Sequence, residues 1–145
     1  TMNKMKQKEA YDKLLSCGLK PSVQRMAIMQ YLLTHFTHPK VEDVYAGLNK
    51  KMPTLSRTTV YNTLRLLSDH KAVQMITIDE HRVCYDGNTD PHVHFYCKEC
   101  GKVIDMFDQQ APESPDNKMI NGNLVTDAQL YYKGICAECL KNKNN

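Results

Sequence analysis

The sequence predicts an α+β protein, with an N-terminal winged helix-turn-helix domain followed by a strand-rich domain that closes on a four-cysteine zinc site. Three observations predict it. Residues 6–69 carry apolar side chains at helical spacing. Two short runs, Val73–Ile78 and Arg82–Tyr85, then flank Asp79-Glu80-His81 as a hairpin. Beyond them lie two Cys-x-x-Cys knuckles, Cys97-Lys-Glu-Cys100 and Cys136-Ala-Glu-Cys139.

Taken in order, Lys6–Cys17 puts Ala10, Tyr11, Leu14 and Leu15 on one face, and Gly18 can close that helix in a left-handed conformation. Pro21-Ser22 opens a second helix to about His35, with Val23, Ala27, Ile28, Tyr31 and Leu32 expected inward. Val41, Val44, Tyr45 and Leu48 follow the i, i+3, i+4, i+7 pattern of a third, which Met52-Pro53 breaks. Ser56 caps a fourth, Arg57–Asp69, packed through Val60, Leu64 and Leu67. Val73–Ile78 and Arg82–Tyr85 are the expected hairpin strands. Gly87-Asn-Thr-Asp-Pro91 is rich in turn formers, so the domains are expected at 1–85 and 92–145, with a hinge over 86–91. In the second domain His92–Cys97 and Lys102–Phe107 read as partner strands. Gln109–Ile120 reads as a loop with a short helix, and Leu124–Lys133 as a third strand.

Helix, turn, helix and hairpin is the order of a winged helix-turn-helix. Such a helix binds DNA by fit: with side chains it is about 10–12 Å across and enters a major groove about 12 Å wide. The fourth helix exposes Arg57, Thr58, Thr59, Tyr61, Asn62 and Arg65, which can bond phosphates or base edges. An ordinary solvated helix face would look similar. Charge is split in the same sense. Residues 1–85 hold 13 Lys+Arg and 7 Asp+Glu, a balance of +6, and residues 86–145 hold 6 and 9, a balance of −3, which together return the net +3.

The 145 residues are 41% hydrophobic and 24% charged, an ordinary soluble balance. No apolar run reaches the length of a membrane span, and residues 2–9 lack the apolar core of a signal peptide. A cytoplasmic location without a membrane partner is therefore expected. In a reducing compartment Cys-x-x-Cys is more often metal-binding than disulfide-forming. Two thiolates three residues apart bind one ion from a single turn. Four close a tetrahedron with no open position, the pattern of a structural zinc site. Two disulfides or a redox-active pair share the spacing.

A second constellation has different chemistry. His92 and His94 alternate by two and share one face of a strand. Asp105 lies on the expected neighbouring strand, Asp86 at the hinge, and His38 in the loop before the third helix. Three imidazoles and two carboxylates suit Fe(II), Mn(II) or Zn(II), and five ligands leave a sixth position open. Singly, each has a plainer reading as a loop, turn or surface residue.

The ordered set of motifs resembles the ferric-uptake-regulator superfamily of bacterial metal-dependent repressors. It comprises Pro21-Ser-Val-Gln-Arg25, His38-Pro39 with Asp43-Val-Tyr45, Thr59-Val-Tyr61, His92-Val-His94, Cys97-Lys-Glu-Cys100-Gly101 and Cys136-Ala-Glu-Cys139, and it covers about Tyr11 to Leu140. The resemblance implies a winged-helix DNA-binding domain and an α/β dimerisation domain. It implies structural zinc on Cys97, Cys100, Cys136 and Cys139, and a regulatory metal on His38, Asp86, His92, His94 and Asp105. The family's extra metal site usually has a histidine before the last knuckle; Leu124–Tyr132 has none, so that site is not expected. Asp86, Asp105 and Asn62 stand where iron-uptake members usually have Glu, Glu and Arg, and all three resemble the peroxide-responsive (PerR-type) branch.

The expected function is thus a homodimeric repressor of palindromic operator DNA that uses Fe(II) or Mn(II) to hold its domains in the binding orientation. Hydrogen peroxide would oxidise a ligand histidine, His38 or His92, in the Fe(II) form. Arg57, Thr59, Tyr61 and Asn62 are the expected DNA contacts. The alternatives are an iron- or zinc-level sensor of the same superfamily, or a metal-dependent hydrolase or oxygenase. The absence of a His-Glu-x-x-His motif speaks against an enzyme. Cys17 and Cys84 offer competing redox thiols, without an activating partner in sequence.

Overall fold

A computed structural model of the chain describes residues 2–79, 81–90, 92–107 and 117–143. It divides into two units, 1–89 and 90–145. The first holds α1 (Met2–Ser16), α2 (Val23–Thr34), α3 (Val41–Leu48), α4 (Arg57–Asp69) and the hairpin β1 (Gln74–Asp79) and β2 (Arg82–Asp86). The second holds β3 (Val93–Cys97), β4 (Val103–Met106), β5 (Lys118–Ile120), β6 (Asn123–Val125), β7 (Tyr131–Gly134) and α5 (Ala137–Lys143).

Local signals start and stop the helices of the first unit. The Ser22 hydroxyl accepts from the Arg25 N–H (3.2 Å) and the Ser56 hydroxyl from the Thr59 N–H (3.1 Å), so each satisfies an orphan donor of a first turn. Gly18, with φ of +77°, ends α1: its N–H bonds to the Leu15 carbonyl while Leu19 N–H bonds to that of Leu14. The helices then bury one apolar cluster. Leu14, Ile28, Leu32, Val44, Val60, Leu64 and Leu67 are fully buried in it, with Tyr85 of β2 closing one side. Each such side chain stabilises the fold by about 1.5–3 kcal/mol, so this unit is held by apolar burial. Antiparallel β1–β2 follows α4 directly and completes the winged helix-turn-helix.

Several inward assignments are corrected. Val23 is 79% exposed, because the first residue after the Ser22 cap points off the packed face. Tyr11 and Leu15 are exposed too; Ala10 and Leu14 alone carry the buried stripe they were expected to share. Met29 and Leu33 are buried beside Ile28 and Leu32, since α2 is covered over a wider arc than one stripe.

In the second unit β3 is the central strand of three. It pairs antiparallel with β4, His94 opposite Asp105, and parallel with β7, Cys97 opposite Gly134. The expected third strand over Leu124–Lys133 is two strands, because its halves find different partners. β6 pairs with β5, while β7 joins β3. Residues 126–130 belong to neither. Asn121 and Gly122, both at positive φ, form the tight turn between β5 and β6, a hairpin signal overlooked in the sequence. Where a loop and short helix were expected over Gln109–Ile120, Lys118–Ile120 is a strand, and residues 109–116 lie outside the described residues. Glu80 of the first hairpin's turn and Pro91 of the expected hinge lie outside them as well. Helix α5 had no clear sequence signal.

Gly87 shows how closely the chain packs where the hairpin leaves the helices. A Cβ there would sit 2.7 Å from the Leu32 carbonyl oxygen and 3.0 Å from its carbon, both backbone atoms of α2. Gly87→Ala is therefore expected to destabilise the helical unit by about 1–3 kcal/mol. Denaturant unfolding followed by far-ultraviolet circular dichroism checks this; an unchanged midpoint would mean that the contact relaxes freely.

Candidate metal centres and nucleic-acid interface

Cys97 ends β3 and Cys100 lies in the turn toward β4, where Gly101, at φ of +77°, donates its N–H to the Cys97 carbonyl (2.9 Å). Cys136 follows β7, and Cys139 lies in the first turn of α5. The parallel pairing of β3 with β7 brings the two knuckles together: Lys98 N–H donates to the Gly134 carbonyl (2.8 Å), and Cys136 N–H to the Cys97 sulfur (3.3 Å). All four sulfurs lie within 4.8 Å of one another, with Cys97–Cys139 at 3.8 Å and Cys100–Cys136 at 3.9 Å. Four sulfurs at the corners of a tetrahedron about 2.3 Å from a central ion are about 3.8 Å apart. The thiol cluster therefore fits zinc, closed on all sides as a structural site is.

Their electrostatics point the same way. The backbone N–H of Cys100, helped by those of Cys136 and Glu99, brings the Cys97 thiol down to about 6 against the cost of burial. The hydrogen bond with Cys136, together with burial, pushes the Cys139 thiol up to about 12, and Cys100 is raised as well. Without a cation the four sulfurs cannot all ionise. A divalent ion at their centre reverses this by stabilising every thiolate.

The nitrogen and oxygen donors form one group in each unit. In the first unit, His38 holds φ of +57° immediately before Pro39, a conformation that costs a non-glycine residue roughly 1–3 kcal/mol. The Tyr85 N–H donates to the Pro39 carbonyl (2.9 Å), which ties this loop to β2 and sets the His38 ring beside Asp86, Nε2 to Oδ2 at 3.5 Å. Asp86 is only 1% exposed, and its Oδ1 accepts from the Asn88 N–H (2.9 Å). That bond fixes the direction of the carboxylate.

In the second unit, His92, His94 and Asp105 meet across β3 and β4. His92 Nδ1 lies 2.6 Å from the Asp90 carbonyl, which only accepts, so Nδ1 carries the proton. His92 Nε2 faces Asp105 Oδ1 at 3.1 Å, and His94 Nε2 lies 3.4 Å from the same oxygen. Imidazole nitrogens and a carboxylate oxygen brought this close can be shared by one metal cation. Both histidines are buried, and Phe107 packs against His92 with ring centroids 4.9 Å apart. Mixed imidazole and carboxylate donors of this kind suit Fe(II), Mn(II) or Zn(II).

The expected DNA-facing residues lie along one side of α4. Arg57, Tyr61 and Asn62 are exposed, as are Thr58 and Arg65. Thr59 is half-buried, and its hydroxyl accepts from the Ser56 hydroxyl (2.9 Å), so it is also part of the helix cap. Two neighbours of Arg57 went unnoticed in the sequence. Its Nε donates to both oxygens of Glu42 (2.9 and 3.1 Å), and its Cζ lies 4.3 Å from the ring centroid of Tyr45. The hydrogen bond to Glu42 is also what raises the guanidinium pKa further. Glu42 and Tyr45 are three apart on α3 and so share a face, a spacing visible in the sequence; the partner across space was not. Cys17 is half-buried at the end of α1, and Cys84 is buried on β2.

Two outcomes follow for the thiol cluster. Cys139→Ser is expected to abolish stoichiometric zinc and to loosen the β3–β7 pairing, seen by elemental analysis and by amide hydrogen exchange at residues 93–97. Because Cys97 is already ionised near neutral pH while Cys139 is not, zinc uptake by the metal-free protein should release protons, but fewer than one per thiol. Affinity should rise with pH as the remaining thiols lose theirs. Titration in weak buffer with a pH indicator measures the release.

Residues 16–133 match the ferric uptake regulator family. The chain is 33% identical over 139 residues to the peroxide operon regulator of Bacillus subtilis, covering 95% of this chain and 96% of that protein. It is 32% identical over 137 residues to the peroxide-responsive repressor PerR of Staphylococcus epidermidis, covering 94% and 91%. Among solved structures, PerR from Streptococcus pyogenes aligns with a TM-score of 0.51 at 27% identity, covering 92% of each chain. The Helicobacter pylori ferric uptake regulator Fur aligns with a TM-score of 0.67 at 21% identity, covering 95% and 93%, a likeness of fold. The family match across most of the sequence, with a winged helix-turn-helix and a four-thiol cluster in the same chain, places this protein in the ferric uptake regulator family.

Proposed function

We propose that this protein is a metal-dependent transcriptional repressor that releases operator DNA in response to hydrogen peroxide. The observation that carries the proposal is the convergence of His92 Nε2 and His94 Nε2 on one oxygen of Asp105, a mixed imidazole and carboxylate set able to hold a cation. The similarity to proteins named peroxide-responsive repressor and peroxide operon regulator supports the choice of signal.

In this account Cys97, Cys100, Cys136 and Cys139 hold a structural zinc ion. His38 and Asp86 of the first unit and His92, His94 and Asp105 of the second are the ligands of one regulatory Fe(II) or Mn(II). An ion held by donors from both units acts as an allosteric ligand, because it binds tightly only to the relative orientation that completes its ligand set. That orientation is the one that presents α4 to DNA. Arg57, Thr59, Tyr61 and Asn62 contact the duplex, one helix per half-site of a palindrome in a homodimer. Bound ferrous iron would supply one-electron reduction of peroxide beside its own ligands. One peroxide oxygen would replace a ring C–H hydrogen of His38 or His92 and the other would leave as water; the oxidised ring would no longer offer the same lone pair, so the ligand set would fail and DNA would be released.

The family is one of regulators, and no substrate turnover is part of this account. No helix among the described residues is long and apolar enough to cross a membrane, in keeping with a cytoplasmic repressor.

Anaerobic protein loaded with zinc and Fe(II), treated with peroxide and digested, should show one added oxygen on the peptide carrying His38 or on that carrying His92. The Mn(II) form should stay unmodified. Release of DNA with both peptides intact would rule out this route. His38→Ala and Asp105→Ala should each keep zinc but lose Mn(II)-dependent DNA binding at metal levels that saturate the wild type.

A further inference from the structure

Arg57 is the first residue of α4, at the end of the helix from which a helix-turn-helix reaches base edges. An arginine has five N–H donors: one on Nε and four on the two Nη groups. In this structure the Nε–H is shared by both oxygens of Glu42, and the ring of Tyr45 lies against the guanidinium. Among the described residues no hydrogen bond reaches either Nη. Yet the side chains of Arg57 and Glu42 are 61% and 66% exposed, so the pair stands in solvent rather than in the core.

A long exposed arginine would ordinarily sample many rotamers, and ordering it on DNA would cost entropy. Here one edge and one face are already fixed by α3. What remains is the end-on edge, where the two Nη groups lie side by side. That edge matches a pair of acceptors in one plane, and in the major groove the matching pair is O6 and N7 of guanine.

We propose that Glu42 and Tyr45 are positioning residues that hold Arg57 with its Nη edge presented to a guanine in each half-site, making Arg57 a determinant of operator sequence. The proposal rests on the reading of α4 as the DNA-contacting helix. Glu42 acts through Arg57, without touching DNA. Its carboxylate secures the Nε edge while Tyr45 limits rotation of the plane, so the specificity belongs to the trio rather than to the arginine alone.

The test uses the full chain loaded with zinc and Mn(II), and a duplex pool with a randomised core. Wild type, Arg57→Ala, Glu42→Ala, Tyr45→Leu and Tyr45→Phe are each selected against the pool. Each is then titrated with the enriched duplex and its single-base variants over a range of salt. Wild type should enrich a symmetric site with a guanine that, when replaced, weakens binding roughly 5- to 150-fold. Arg57→Ala should lose discrimination at that position alone. Glu42→Ala and Tyr45→Leu should reduce it at the same position, whatever uniform change the altered charge brings. Tyr45→Phe, which keeps the ring, should behave as wild type. Glu42→Ala discriminating fully at that base would overturn the proposal. So would an Arg57→Ala variant that binds all sequences uniformly more weakly with a shallower salt dependence, the mark of a phosphate contact. A wild-type protein that enriches no sequence would overturn the DNA-binding reading itself, and it is recognised before any variant is compared. Unfolding midpoints are expected to match wild type for Arg57→Ala and Glu42→Ala, both exposed positions, and are measured for the Tyr45 variants because that ring packs against the core, so that misfolding is excluded as the cause.

Discussion

Cys97 ends the strand that carries His94, so one short run of backbone belongs to both metal chemistries. β3 is held on one side by the parallel pairing with β7 and on the other by β4. The four sulfurs clamp its last residue to the start of α5. Three residues back along the strand, His94 faces Asp105 across the β4 register. A strand that slipped by one residue would turn Cys97 away from the cluster and His94 away from Asp105 together. The thiol clamp therefore does more than staple the chain: it fixes the register on which the imidazoles converge.

The two units need different means of stability. The helical unit encloses a cluster of fully buried aliphatic side chains from all four helices, enough apolar surface to fold around. In the second unit Val93 is the one aliphatic residue among the fully buried side chains of the described residues. Its other buried groups include Cys97, Cys136, His92 and His94, which become favourable interior groups when ions hold them. A small domain with few apolar contacts gains most from a metal clamp. The unit that holds the four thiols is thus the one whose order depends most on bound ions.

How much of this was legible in the sequence depends on the range of each signal. Caps at Ser22 and Ser56 and the stop at Gly18 were visible because each acts within a turn, and the four cysteines because their spacing is local. Val60, Leu64 and Leu67 of α4 are all buried, as their spacing requires. The sheet of the second unit was harder. β6 and β7 lie in one apolar-polar run, and nothing local says that its halves join different sheets. The donor groups were legible as residue types, whereas their fine geometry was not. The proton on His92 Nδ1 follows from the Asp90 carbonyl, and the left-handed backbone of His38 from the tie between Pro39 and Tyr85. The hold of Glu42 on Arg57 spans two helices and was invisible for the same reason.

The most direct test of the central claim is DNA binding by zinc-loaded protein supplied anaerobically with Fe(II) or with Mn(II), measured before and after a small dose of hydrogen peroxide. The account predicts binding with either metal beforehand and loss of binding only in the Fe(II) sample afterwards. Equal persistence with both metals would contradict it and leave a sensor of metal level. Equal loss with both would also contradict it, and would move the oxidised group from a metal-bound histidine to a thiol.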